Sequence, residues 1–208
     1  MKTIVCFGDS NTWGARPDGK GRFDLDTRWT GVLAKELGAG HRVCEEGLNG
    51  RTTNLDDIIE RDRNGFTYLK PCLESHAPID LITLMLGTND LKDRFHRNPG
   101  DIAQSAATLC DFARNLPVGP DGGRPIVLMM APPPTVELTG FASIFAGAGE
   151  KSAQFPTEYR NWSGFYNLPF FDTSEVIVSS PLDAIHFDAD QHIKLGKALA
   201  VKIRELLG

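Results

Sequence analysis

Long apolar runs, a surplus of basic charge, paired cysteines and linker-like tracts are all missing from this 208-residue chain. No stretch approaches the roughly 20 apolar residues that span a bilayer, and the run beginning at Thr3 is too short for a signal-peptide core. Those two absences predict a cytoplasmic protein with no membrane partner. Lys and Arg number 22 against 27 Asp and Glu, for a formal net charge of -5, and the basic residues are scattered among the acids. No nucleic-acid footprint is expected from such a pattern, which leaves a small neutral or weakly charged molecule as partner. The four cysteines, Cys6, Cys44, Cys72 and Cys110, show no C-x-x-C spacing. Three of them fall in apolar segments, so reduced, buried thiols are expected rather than a disulfide or a zinc site. With no composition shift, repeat or Ser/Pro/Gly-rich tract to divide it, residues 1–208 read as a single domain around one core.

What the chain does contain is short apolar runs set between helical stretches. "TIVCFG" (3–8), "DLITLML" (80–86), "PIVLMMA" (125–131) and "LPFFD" (168–172) are continuous rather than alternating, as strands buried on both faces are; "HRVCEE" (41–46) is a weaker fifth. Helical periodicity joins Trp29, Val32, Leu33 and Leu37, then Ile102, Ala106, Leu109, Ala113 and Leu116, then Leu195, Leu199, Ile203 and Leu206. Asp188 with Gln191 three residues on predicts a capping box at the start of the last helix. Alternating strands and helices predict an α/β fold, a three-layer α/β/α sandwich of flavodoxin-like order with a parallel sheet of about five strands. The connection 132–150, "PPPTVELTGFASIFAGAGE", is longer than such folds usually need.

Ligands of open parallel sheets bind beyond the carboxyl ends of the strands. That edge should hold "GDSN" after the first strand, "GLNGRTT" after the second, "GTND" after the third and the loop after the fifth. Ser10 lies in the first of these, and a serine hydroxyl is a poor nucleophile until a base takes its proton. His186, in "LDAIHFDAD" between the last strand and the last helix, is the candidate base. Asp183, three residues earlier, is placed to accept the Nδ1 proton and leave Nε2 facing the serine. Asp172 and Asp188 compete for that role. The Ser10 amide, the Gly50 amide and the Asn89 side chain are candidate donors to an oxyanion, with Gly47 a rival to Gly50 and a helix cap the alternative for Asn89. Trp13 is either a pocket wall or a core residue, and Trp29, on a helical stripe, is read as core. His41, His76, His96 and His192 have no partner block and are expected at surface or ordinary polar positions. No third and fourth ligand at suitable spacing accompany the Asp-His pair, so no metal and no cofactor are expected.

At these positions the chain resembles the SGNH hydrolases, also called GDSL-type esterases. "FGDSNTWG", "EEGLNGRTT", "MLGTND" and "DAIH" are similar to that family's four blocks, in their usual order, across essentially the whole chain. "RWTGVLAKELG" and "PPP" further resemble a subgroup of bacterial arylesterases and acyltransferases related to a mycobacterial transesterifying enzyme. The resemblance implies Ser10 as nucleophile, His186 as general base and Asp183 as its orienting acid, with Ser10, Gly50 and Asn89 forming the oxyanion hole. It implies hydrolysis of carboxylic esters with short acyl chains and aryl or small alkyl alcohols, acyl transfer from the same site as the alternative, and a homo-oligomer. Asn11 stands where the family has leucine, which implies a more polar pocket. Gly50 stands where the subgroup has alanine.

Two further readings stay open on the sequence. A non-catalytic flavodoxin-like module would use "GDSN" and "GTND" to cradle a phosphate or nucleotide, but it would need neither His186 nor Asp183, and no G-x-x-x-x-G-K-[ST] motif is present. Apolar Phe141, Ile144 and Phe145 on a long loop point either to packing on another subunit that narrows the site or to a loop folded over its own core.

Overall fold

The computed structural model describes residues 1–136 and 141–208. Five parallel strands, β1 (Lys2–Gly8), β2 (His41–Gly47), β3 (Leu81–Met85), β4 (Ile126–Ala131) and β5 (Phe170–Asp172), form one sheet in the order β2-β1-β3-β4-β5. This is the flavodoxin-like order expected from the sequence. Ile4 pairs with both Val43 and Leu81 in register, so β1 is central, and the strand order reverses on either side of it. The helices are α1 (Ser10–Trp13), α2 (Trp29–Leu37), α3 (Gly65–His76), α4 (Pro99–Arg114), α5 (Ala148–Ser152), α6 (Phe155–Tyr166) and α7 (Ala189–Leu207).

Alternation along each central strand divides the core into two halves. Val5 and Phe7 of β1 with Ile82 and Leu84 of β3 face α3, α4 and α6, meeting Leu69, Ile102, Leu109 and Tyr159. Ile4 and Cys6 with Leu81 and Met85 face α2 and α7, meeting Trp29, Leu33, Leu195 and Leu199. Both faces are therefore apolar, which is why these strands read as continuous hydrophobic runs. Each fully buried Leu, Ile or Phe here contributes about 1.5–3 kcal/mol of transfer free energy. β2 pairs only with β1 and buries only Cys44, which explains its weaker sequence signal.

The helical periodicities over α2, α4 and α7 are realised, with Trp29 fully buried as core. α3 and α6 carry no comparable stripe in the sequence. α3 holds Pro71 in its interior and buries only Gly65, Leu69, Cys72 and Leu73; α6 buries only Phe155, Tyr159 and Ser163. The predicted capping box at α7 is a correction. Asp188 does occupy the N-cap, but its side chain makes no cap bond. Instead its Oδ1 accepts from Ser180 Oγ at 2.9 Å, while Gln191 Oε1 accepts the Val178 amide at 3.1 Å. Both side chains therefore anchor the segment that leads from β5 toward His186. His192 is a second correction: it is fully buried, its Nδ1 accepting the Trp29 amide at 3.3 Å, and burial pushes the imidazole down to about 3. All four cysteines are free and buried.

Candidate active site

The chain leaves β1 at Gly8 and turns at once into the four-residue helix α1, with Ser10 as its first residue. Asp9 makes that turn. Its carboxylate accepts the Asn11 amide at 2.9 Å, its carbonyl accepts the Thr12 and Trp13 amides at 3.1 and 2.9 Å, and Gly14 closes the helix in the left-handed region. Burial raises the Asp9 carboxyl to about 6, against the lowering effect of the Asn11 amide. The serine is thus presented at the carboxyl end of the central strand with its backbone fixed on both sides.

His186 Nε2 lies 2.9 Å from Ser10 Oγ, and His186 Nδ1 lies 2.5 Å from Asp183 Oδ2. The other Asp183 oxygen accepts the amides of Ile185 and His186 at 3.0 and 2.9 Å, so the carboxylate is clamped within the same short turn. Burial alone would raise Asp183, but the His186 side chain and the two amides outweigh it and hold the carboxyl below its usual value. An ionised Asp183 has only acceptors, which puts the proton on Nδ1 and leaves Nε2 to accept from the serine hydroxyl. The rival carboxylates are occupied elsewhere: Asp172 caps the turn Thr173–Glu175 through Ser174, and Asp188 holds Ser180.

Asn89 follows β3 and donates one Nδ2 proton to the Arg51 carbonyl at 3.1 Å, leaving its second N–H for another acceptor. The Ser10 and Gly50 backbone N–H groups donate to no partner among the described residues. Gly50 (φ +78°) lines the same cavity as Ser10, Asn89 and His186. Gly47 serves packing instead. A Cβ there would lie 2.1 Å from the Trp13 backbone nitrogen, so the glycine permits the close approach of β2 to α1. The cavity encloses about 210 Å³. Its lining combines apolar Ala15, Phe141, Ile144, Phe145 and Ile185 with polar Asn49, Glu60 and Lys92.

The structure takes two expected pocket residues away from this cavity. Asn11 is buried, and its Nδ2 donates to the Ile185 carbonyl at 3.1 Å, so it joins the nucleophile helix to the histidine loop instead of lining the space between them. Trp13 lies half-buried beneath the Arg22 guanidinium, 5.1 Å from its ring, and is not a cavity wall. Phe141, Ile144 and Phe145 line the cavity of their own chain, and Phe145 also joins the core. Residues 137–140 of the 132–150 connection lie outside the described residues.

Several supporting residues carried no clear signal in the sequence. Arg51 is buried, with its guanidinium 4.2 Å from the Phe7 ring and 5.2 Å from that of Tyr68. It donates to the Gly8 carbonyl at 2.8 Å and also to the Glu46 carbonyl, tying the ends of β1 and β2 while its own carbonyl orients Asn89. A lone arginine inside the small-residue loop "GLNGRTT" was the available clue. Asp90, buried and pushed by that burial up to about 7 despite hydrogen bonds from Thr53, braces the same loop through the Thr53 amide at 3.0 Å. Of the polar lining residues, Lys92 has its Nζ 2.7 Å from Glu60 Oε1 and 3.5 Å from Asp57 Oδ2, and Arg94 meets the same two carboxylates. Burial would raise Asp57, but Arg94, two amides and Lys92 bring it down to about 2.

Among the described residues, Glu46, Cys72 and His76 bring three potential metal-ligating atoms within 4.8 Å of one another. His76 Nε2 is engaged with Glu46 Oε1 at 2.6 Å, and burial pushes the Cys72 thiol up to about 12. The cluster stands on β2 and α3, apart from the cavity at Ser10. No helix among the described residues is long and apolar enough to cross a membrane.

A nucleophile, a base held in the accepting tautomer and unpaired donors around one small cavity are the parts required for acyl transfer through a covalent serine ester. Comparison with known proteins agrees. The GDSL-like lipase/acylhydrolase family matches residues 6–198. The aryl esterase of M. smegmatis is 42% identical, each chain covering 100% of the other, with a TM-score of 0.94. A carbohydrate acetylesterase from Sinorhizobium meliloti is 39% identical over 99% of this chain and 100% of its own, with a TM-score of 0.95. No match is found among curated proteins.

Proposed function

The chain belongs to the GDSL-like lipase/acylhydrolase family, and on that footing we propose a serine ester hydrolase whose catalytic residues are Ser10, His186 and Asp183. The observation that carries the assignment is the continuous hydrogen-bonded chain from Ser10 Oγ to His186 to Asp183, at 2.9 and 2.5 Å, opening on the cavity.

His186 Nε2 removes the hydroxyl proton as Ser10 Oγ attacks the ester carbonyl. The oxyanion that forms is met by the Ser10 and Gly50 amides and the free N–H of Asn89. Its collapse breaks the ester C–O bond, His186 returns the proton to the departing alkoxide, and an acyl-serine remains. Water, deprotonated by the same histidine, attacks the acyl-serine, the bond to Oγ breaks, and His186 returns the proton to Ser10 as the acid leaves. Asp183 fixes the imidazole tautomer throughout and faces the positive charge that develops on the ring. The substrates we propose are esters with short acyl chains and aryl or small alkyl alcohols, supported by the small cavity and by the similarity to the M. smegmatis aryl esterase.

Acyl transfer to an alcohol, or to peroxide, is a second reading of the same site. Phe141, Ile144, Phe145 and Ile185 favour it, since an apolar wall concentrates a small alcohol against the acyl-serine at the expense of water. We also propose a cytoplasmic protein, supported by four free cysteines, and a homo-oligomer, supported by partly exposed Phe141 and Ile144 at the cavity edge. A monomeric mass at micromolar concentration would overturn the oligomer. The test of the catalytic assignment is Ser10→Ala assayed on phenyl acetate. A loss of about 10⁵ or more in kcat is expected, and retention of most of the activity would sink it.

A further inference from the structure

Glu60 stands out in the cavity lining because its two carboxylate oxygens are treated differently. Oε1 takes both cations, Lys92 Nζ at 2.7 Å and Arg94 at 3.1 Å. Oε2 has no hydrogen-bond partner among the described residues. It points toward the loop that carries Gly50, where a Cβ on residue 50 would lie 2.4 Å from it. The absence of a side chain at Gly50 is therefore what allows a carboxylate oxygen to stand beside a proposed oxyanion donor, in a cavity it shares with Ser10 and Asn89.

A bare carboxylate so close to a developing oxyanion would oppose the reaction. Here Asp57 and Glu60 are matched by Lys92 and Arg94, and the four form a cluster with no formal net charge. Lys92 and Asp57 are each 4% exposed, so this cation and one of its two carboxylate partners are held inside the protein. The charge is balanced on Oε1, while Oε2 keeps its capacity to accept a hydrogen bond. The Glu60 side chain is 42% exposed, so water meets Oε2 in the free protein; a substrate that covers this oxygen without a donor leaves it unpaired, and one carrying a hydroxyl replaces the water.

Resting on the esterase reading, we propose that Glu60 is a specificity-determining residue that accepts a hydrogen bond from a hydroxyl group on the substrate. The enzyme then prefers hydroxyl-bearing esters over esters of equal size without one. Lys92 and Arg94 are positioning residues that act through Glu60.

The test compares kcat/KM within two matched pairs: ethylene glycol monoacetate against propyl acetate, with the hydroxyl on the alcohol side, and ethyl glycolate against ethyl propionate, with it on the acyl side. In the wild-type protein at least one hydroxyl-bearing ester should be favoured. Glu60→Gln and Glu60→Ala should each lower that preference about tenfold, the scale of a hydrogen bond to a charged acceptor. Because the ratio is taken within one variant, any loss of folded protein cancels, and the pair that responds tells which side of the ester Glu60 reads. An unchanged preference in both variants, or no preference in the wild type in either pair, overturns the proposal. Wild-type protein that turns over phenyl acetate but none of the four esters overturns this proposal alone, and protein inactive on all five overturns the esterase reading with it.

Discussion

Replacing Asp183 with asparagine should inactivate the enzyme while leaving its turn intact. Asp183 Oδ1 accepts the Ile185 and His186 amides, so an asparagine is driven to put its carbonyl oxygen there and its NH₂ group where Oδ2 now meets His186 Nδ1. The ring then accepts at Nδ1 and carries its proton on Nε2, the tautomer that cannot take a proton from Ser10. The lost charge adds to this. An ion pair of roughly 4 Å between charge centres, at an effective dielectric constant near 20, is worth about 4 kcal/mol, or about 10³ in rate. With the tautomer reversed as well, a fall of about 10⁴ in kcat is expected, as in other triads. Steady-state hydrolysis of phenyl acetate measures it, and thermal unfolding beside it should show a midpoint close to wild type because both amide bonds survive. A variant keeping a tenth or more of the wild-type kcat would refute this reasoning, since Asp183 would then neither set the tautomer nor face the imidazolium.

Asn89→Ala removes one of three proposed oxyanion donors and should lower kcat by about 10²–10³ with KM little changed; an effect confined to KM would place Asn89 in ground-state binding. Asp90 should make the protein less stable as pH rises. Its folded value of about 7 stands above the ordinary carboxyl value of 3.8, so the folded state binds the extra proton between those limits. Stability is then full below about pH 4 and falls through pH 7, by up to about 4 kcal/mol at 1.36 kcal/mol per unit. Denaturant titrations of wild type and Asp90→Asn at pH 5 and pH 8 should show the variant gaining relative to wild type at the higher pH, and an equal difference at both would refute the buried, proton-binding carboxyl. In dilute alcohol the ratio of transesterified to hydrolysed product should exceed the mole ratio of alcohol to water, and a ratio at or below it would remove the acyl-transfer reading.

Legibility in the sequence followed burial. β1, β3 and β4 are covered on both faces and announce themselves as unbroken apolar runs, and Ser10, Asn89 and His186 could be placed because each closes or follows a strand. β2, an edge strand, left a weaker trace. α3 begins at "NG", which reads as a turn, and carries Pro71, so its Asn64 cap on Phe66 and Thr67 was obscured. α6 showed only the Phe155 and Tyr159 pair. The ion-paired part of the cavity lining was not legible at all: Glu60 and Lys92 are 32 positions apart, and only the tertiary fold makes Glu60 an ion-paired neighbour of Gly50. The family's leucine position suggests a pocket role for Asn11 and nearness to Ser10 suggests one for Trp13, whereas the helix that begins at Ser10 turns them onto the histidine loop and Arg22.

Every catalytic step proposed for this protein depends on Ser10 being a nucleophile activated by His186. Incubation with a p-nitrophenyl phosphonate, followed by intact mass and peptide mapping beside the His186→Ala variant, probes that activation without a choice of ester. One phosphonyl adduct on Ser10, lost or greatly slowed in the variant, is the expected result. A folded protein that takes no adduct, or takes it equally fast without His186, would show that Ser10 is not the activated nucleophile.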